Sequence, residues 1–153
     1  MLDQDTLHGS VWRFAERLVN QVPEGLFAPA AAARSTRVLV YNHTPWALHR
    51  LTAHCETGHF ARGEAAPAVI APKSVGGYRV EGDGPTHGVT GAVVEYGFRP
   101  TDQYPCVWLV TSNPVDGVNS WNGQGYAGLT VQFSGTAGAA NQVEYDVCET
   151  PPS

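Results

Sequence analysis

Charge is scarce in this chain. Of 153 residues only 15% are Asp, Glu, Lys or Arg, and the formal net charge is −5. Holding nucleic acid or a strongly anionic membrane by counterion release needs a basic surface, so neither is expected as an electrostatic partner. No apolar run approaches the roughly 18 residues of a transmembrane helix. The opening Met1-Leu2-Asp3-Gln4-Asp5 is acidic and leads into no apolar core, unlike a secretory leader. The expectation is a chain that is soluble and cytoplasmic as made, reaching target membranes by a non-classical export route.

Signatures of chemistry are missing as well. Cys55, Cys106 and Cys148 are odd in number and widely spaced, which suits small buried hydrophobes better than a disulfide framework. His43, His49, His54 and His59 surround Cys55, but no tight Cys-x-x-Cys spacing accompanies them. On a regular strand His49 and Cys55 would share a face and His54 would oppose them. Ser112, Ser120 and Asp116 lie close in sequence, yet no Gly-x-Ser-x-Gly elbow is present and no histidine lies in the same segment. Gly82-Asp83-Gly84-Pro85-Thr86-His87-Gly88 is glycine-rich, but no helix follows to aim its N-terminus at a phosphate. The reading is a non-enzyme without metal or cofactor.

What is present is turn-forming and β-forming. Gly numbers 17 and Pro 11, and aromatics make up 10%. That composition favours an all-β domain, and disorder is disfavoured because net charge is small and rings are plentiful. Strands are expected at Thr36–Asn42, Trp46–Cys55, Tyr78–Glu81, Val89–Phe98, Gly128–Phe133 and Gln142–Val147. Many short strands separated by turns predict a β-sandwich.

Before them stands one convincing helix, residues 10–22. At about 100° per residue Val11, Trp12, Phe14, Leu18, Val19 and Val22 fall on one arc, opposite Arg13, Glu16 and Arg17. Ser10 is a suitable N-cap, and Pro23-Glu24-Gly25 a suitable stop. The same amphipathicity serves a helix packed on the domain or one that detaches into a membrane interface. The organisation is therefore a helix and linker over 1–35 and a sandwich over 36–150.

The stretch from Val107 to Trp121 draws the most attention. Val107-Trp108-Leu109-Val110-Thr111 is the continuous apolar run of a strand buried on both faces, with Trp108 filling core. It breaks at Asn113-Pro114, because proline cannot donate to a sheet ladder. Trp121 and Tyr126 then sit among Asn119, Ser120, Asn122, Gly123, Gln124 and Gly125, read as a polar loop. Amphipathic rings in such a loop suit a membrane interface, a choline cage or a sugar platform.

Several motifs, in order, resemble the aegerolysins and, more distantly, the actinoporin cytolysins. Val38-Leu39-Val40-Tyr41-Asn42-His43-Thr44 resembles the opening strand and Asn-x-Thr turn of the aegerolysins. Ile70-Ala71-Pro72-Lys73-Ser74 is similar to their Ile-x-Pro-Gly-x turn, with Lys73 where glycine is usual. Gly88 to Tyr96 and Asn113 to Trp121 resemble two further motifs, so the likeness runs from about Arg37 to Val147. It implies a β-sandwich that binds membrane lipids, often sphingolipids, sometimes forming pores with a larger partner protein. Against the phosphocholine pocket of actinoporins, Ser112 and Pro114 match a Ser-x-Pro element, Val93 a Thr-Gly-Ala-Val strand, and Trp121 an aromatic cluster.

The expectation is a cytolysin-type lipid binder engaging headgroups through Val93, Ser112, Pro114, Asn119, Trp121 and Tyr126. The helix would insert alone, in a homo-oligomer on the membrane, or with that partner. The alternatives are a carbohydrate-binding module on the same sandwich and a non-lytic assembly protein.

Overall fold

The computed structural model describes residues 34–83, 90–114 and 118–151. Ten strands follow in chain order: β1 (Ser35–Asn42), β2 (Leu48–Thr57), β3 (His59–Phe60), β4 (Val69–Ile70) and β5 (Ser74–Glu81), then β6 (Thr90–Gly97), β7 (Val107–Asn113), β8 (Ser120–Gly125), β9 (Leu129–Gly135) and β10 (Ala140–Glu149). They form two five-stranded sheets, ordered β3-β5-β1-β10-β9 and β4-β2-β6-β7-β8. All pairings are antiparallel except β1 with β10, the first and last strands, which lie parallel side by side in the first sheet. The predicted all-β sandwich is what the described residues form. The expected helix over 10–22, with Val11, Trp12, Phe14, Leu18, Val19 and Val22, lies outside them.

The two-residue periodicity of the strands builds the core. Val38 and Val40 from β1, Tyr78 and Val80 from β5, and Val143, Tyr145 and Val147 from β10 face Val94, Tyr96, Val107 and Leu109 of the second sheet. Three fully buried tyrosines give this core large rings at little rotamer cost. Tyr96 donates its hydroxyl to Pro67 O at 2.9 Å, and Tyr145 reaches Val110 O at 2.9 Å and Asn122 O at 3.1 Å. Burial pushes the phenols of Tyr78, Tyr96 and Tyr145 above their ordinary range.

A buried asparagine secures each end of the sandwich. At the near end, where the described chain begins, Asn113 of β7 donates to Ser35 O, Ala139 O and Asn141 Oδ1 at 3.3, 3.0 and 3.1 Å. It also accepts from Arg34 Nη1 at 2.7 Å, so it ties the second sheet to β1 and β10. At the far end Asn42 of β1 donates to Trp46 O, Ile70 O and Ala71 O and accepts from the Thr44 amide and hydroxyl. Both asparagines are 0% exposed.

Lys73, at the turn into β5, has φ +54°, a backbone region that favours glycine. Its backbone N–H bonds Thr44 O and its ammonium donates to His43 O, fastening this turn to the Trp46 loop. The three cysteines are free thiols. Burial pushes Cys106 up to about 11 and Cys148 up to about 12, which keeps both protonated at neutral pH.

Candidate functional site

The structure divides the expected site between two ends of the molecule. Ser112 pairs with Ser120 across β7 and β8 at the near end, where half-buried Pro114 leaves β7. Asn119 is also there, its Nδ2 donating to Gly138 O at 2.9 Å. Val93 pairs with Val110, on the outer face of the second sheet two residues along from Ser112. Tyr126 follows the last residue of β8, at the far end. Six strand residues separate it from Asn119, about 20 Å at strand rise, so one headgroup does not touch both.

Trp121 corrects the sequence reading most sharply. The expected polar loop ends sooner: Ser120–Gly125 is β8, an edge strand whose residues alternate exposed and half-buried. Ser120, Asn122 and Gln124 face out, while Trp121, Gly123 and Gly125 face in. Trp121 packs on the core against Gly135 of β9, where a β-carbon would meet its ring at 2.7 Å. Gly123 and Gly125 likewise leave no room for a β-carbon beside Val131 and the Leu129 carbonyl. These small inward positions let the edge strands of the two sheets approach, and the indole fills the seam.

Trp108 is the converse case. It was expected in the core, but β7 alternates, with Val107, Leu109 and Thr111 buried and Trp108, Val110 and Ser112 half-buried on the outer face. The histidine pattern also changes. The ladder of β2 with β6 shifts register between Arg50 and Thr52, so Cys55 packs inward while His49 takes the opposite face from buried Leu48. Among the described residues no three His, Cys, Asp or Glu side chains group to hold a metal ion.

Rings gather at the far end of the second sheet instead, three of them exposed and Phe98 half-buried. In the order β2, β6, β7, β8 the rim carries Trp46 just before β2, Phe98 just after β6, Tyr104 just before β7 and Tyr126 just after β8. Trp46 and Phe98 meet edge to face, centroids 5.7 Å apart. Trp46 is 46% exposed, Tyr104 76% and Tyr126 47%. Three strand spacings make the rim about 14 Å wide. Its supports are rigid: Asn42 holds the Trp46 carbonyl, Asp102 accepts from the Phe98 and Arg99 amides at 3.0 and 3.2 Å, and the Tyr126 amide bonds Cys106 O at 2.9 Å. At the near end Val118 is the large apolar side chain left most exposed among the described residues, and it has no polar tip.

Sequence reasoning placed Trp46 in a strand and passed over Phe98. The available clue was turn chemistry, since Pro45 precedes Trp46, Arg99-Pro100 follows Phe98 and Pro105 follows Tyr104. Rings beside such breakers stand on connections; Phe98 still packs against the core, while Trp46 and Tyr104 stay exposed.

The arrangement defines a β-sandwich with an aromatic rim at one end. No protein-family model matches the chain, and no curated protein matches it. Solved structures do resemble it. Nakanori, described as a lipid-binding protein, superposes with a TM-score of 0.61 at 16% identity, covering 94% of this chain and 79% of its own. RahU protein, solved with a Tris molecule, gives 0.65 at 13% identity, covering 80% of this chain and all of its own. At these identities the likeness is one of fold.

Proposed function

We propose that this chain is a non-enzymatic, aegerolysin-like protein that binds membrane lipids, and that the far-end rim is the surface that meets the bilayer. The observation that carries the reading is the exposure of Trp46, Tyr104 and Tyr126 side by side on one rim. Indole and phenol rings have an apolar body and a polar tip, the combination that collects at a membrane–water interface. At 150–250 Å² per ring, the three leave on the order of 300 Å² of side chain in water. Burying half of that in an interface contributes about 4 kcal/mol at 25 cal/mol per Å². That is an affinity gain of about three orders of magnitude, with no basic surface required. The net charge of −5 fits a zwitterionic partner, such as phosphocholine lipid or sphingomyelin, better than an anionic one. The lipid-binding description of Nakanori, which shares the fold, supports the same reading.

Ser112, Pro114, Asn119 and Val93 lie away from the rim and belong to a separate headgroup proposal. Lysis is a separate proposal too, in which residues 10–22 insert alone, in a homo-oligomer or beside a larger partner protein. Eleven residues, 23–33, lie between that segment and Arg34, and a fully extended chain of that length spans about 40 Å. The linker is thus long enough to reach the far end from the near one.

The test of binding is cosedimentation with phosphatidylcholine–sphingomyelin vesicles. Wild type should pellet with them, and Tyr104→Ser should reduce the bound fraction without lowering the melting temperature. Dye release by the full chain against one lacking residues 1–25 tests lysis, and equal release would remove the helix from the mechanism.

A further inference from the structure

The outer face of the second sheet holds a feature that lipid chains do not explain. Register places Thr52, Glu95, Trp108 and Gln124 directly opposite one another in one row across β2, β6, β7 and β8. The next row is His54, Val93, Val110 and Asn122. All face outward. Trp108, Val93 and Val110 are half-buried in the middle, and Thr52, His54, Asn122 and Gln124 are exposed around them. None of the three central side chains is among those packed on the core. A lone indole therefore lies in the sheet surface, flanked in register by a carboxylate on one side and an amide on the other.

The size and polarity of this face select its ligand. Two rows and three strand spacings cover about 7 by 14 Å, on the order of 100 Å². A stable protein partner needs about 800 Å² per side, so these two rows alone would make only a fraction of such an interface. The patch matches one or two sugar rings. The carboxylate of Glu95 is its one fixed charge, and Thr52 already donates to it at 3.2 Å. Asn122 Oδ1 is occupied by the Gly123 amide at 2.8 Å, so its NH2 group is the donor it offers outward. A ring face beneath, with amide, carboxylate and hydroxyl groups at the margin, complements the C–H face and hydroxyls of a neutral hexose.

The row lies just inside the aromatic rim. Gln124 is two residues from Tyr126, and Trp108 is one residue inside Val107, which opens β7. Two strand residues are about 7 Å, the length of one sugar ring above a bilayer surface. We propose that Trp108, Glu95, Gln124 and Asn122 form a binding site for the neutral sugar headgroup of a membrane glycolipid. This rests on the rim being the membrane-facing surface, since only then does the sugar stand beside the row.

The experiment compares phosphatidylcholine vesicles with and without galactosylceramide, using wild type, Trp108→Ala and Gln124→Ala. Gln124 is exposed on an edge strand, so its replacement leaves the core intact even where loss of the indole disturbs folding. Wild type should bind galactolipid vesicles about tenfold more tightly, the effect of 1.4 kcal/mol. Both variants should lose that gain and keep wild-type binding to plain phosphatidylcholine. Equal wild-type affinity for the two vesicles would overturn the sugar site and leave the rim standing, as would a gain that survives in both variants. Absence of wild-type binding to either vesicle would overturn the rim, and the sugar site with it.

Discussion

The indole of Trp121 lies on Gly135, so close that a β-carbon there would sit 2.7 Å from the ring. One comes from the edge strand of the second sheet and the other from the edge strand of the first. The contact seals the seam between the sheets. Replacing Gly135 with valine should displace the ring and cost about 1–3 kcal/mol, the usual penalty of overpacking. Urea melts of Gly135→Val and of Trp121→Ala should both show loss of stability. Vesicle binding per folded molecule should hold in each, because neither residue is on the rim.

Asn113 has the same structural character. Its amide bonds β1, β10 and the β9–β10 connection from a fully buried position. Asn113→Ala deletes its three donated bonds and the acceptor of Arg34, each hydrogen bond being worth about 0.5–1.5 kcal/mol. Thermal melting should place it among the most destabilised single variants, well below Asn119→Ala, whose one bond is solvent-exposed.

Ala127 in the β8–β9 turn holds φ +54° and is exposed. A non-glycine residue there bears a steric cost of about 1 kcal/mol, partly offset by the greater freedom glycine has when unfolded. Ala127→Gly should therefore raise stability by a few tenths of a kcal/mol, about 1–2 °C in melting temperature. Calorimetry resolves the change; a lower melting temperature would mean that the turn is unstrained.

Cys106 and Cys148 predict a pH dependence. Both thiols are pushed up by burial, to about 11 and about 12. In the unfolded chain they ionise near their ordinary value of about 8.5. Above that value the unfolded state binds fewer protons than the folded one, so stability falls as pH rises. The contribution is intact below about pH 8 and is lost progressively up to the folded values. Chemical denaturation at pH 7, 9 and 10 should show the decline, and Cys106→Ala should flatten it.

The strands were legible in the sequence wherever alternation or β-branched runs were strong, as in β1, β6 and β10. β8 was not, because Ser120-Trp121-Asn122-Gly123-Gln124-Gly125 has glycine at two of its three inward positions. Its period of two is carried by absent side chains, and the facing edge of β9 makes that absence necessary. Trp108 was misassigned for a related reason. An apolar run signals burial on both faces, but here the outer side of the strand holds a half-buried ring. The rim joins four residues from three connections, and no spacing along the chain reveals that Trp46 and Tyr126 share an edge. Only the sheet order supplies it.

The central claim is that the far-end rim meets the membrane. Its most direct measurement is equilibrium binding to phosphatidylcholine–sphingomyelin vesicles by two purified variants of matched stability. One carries Trp46→Ala, Tyr104→Ser and Tyr126→Ser; the other carries Ser112→Ala and Asn119→Ala at the near end. The rim variant should lose at least about a hundredfold in affinity, equivalent to roughly 3 kcal/mol, while the near-end variant binds as wild type. Wild-type binding by the rim variant, with loss in the other, would contradict the account and return the site to Ser112 and its neighbours.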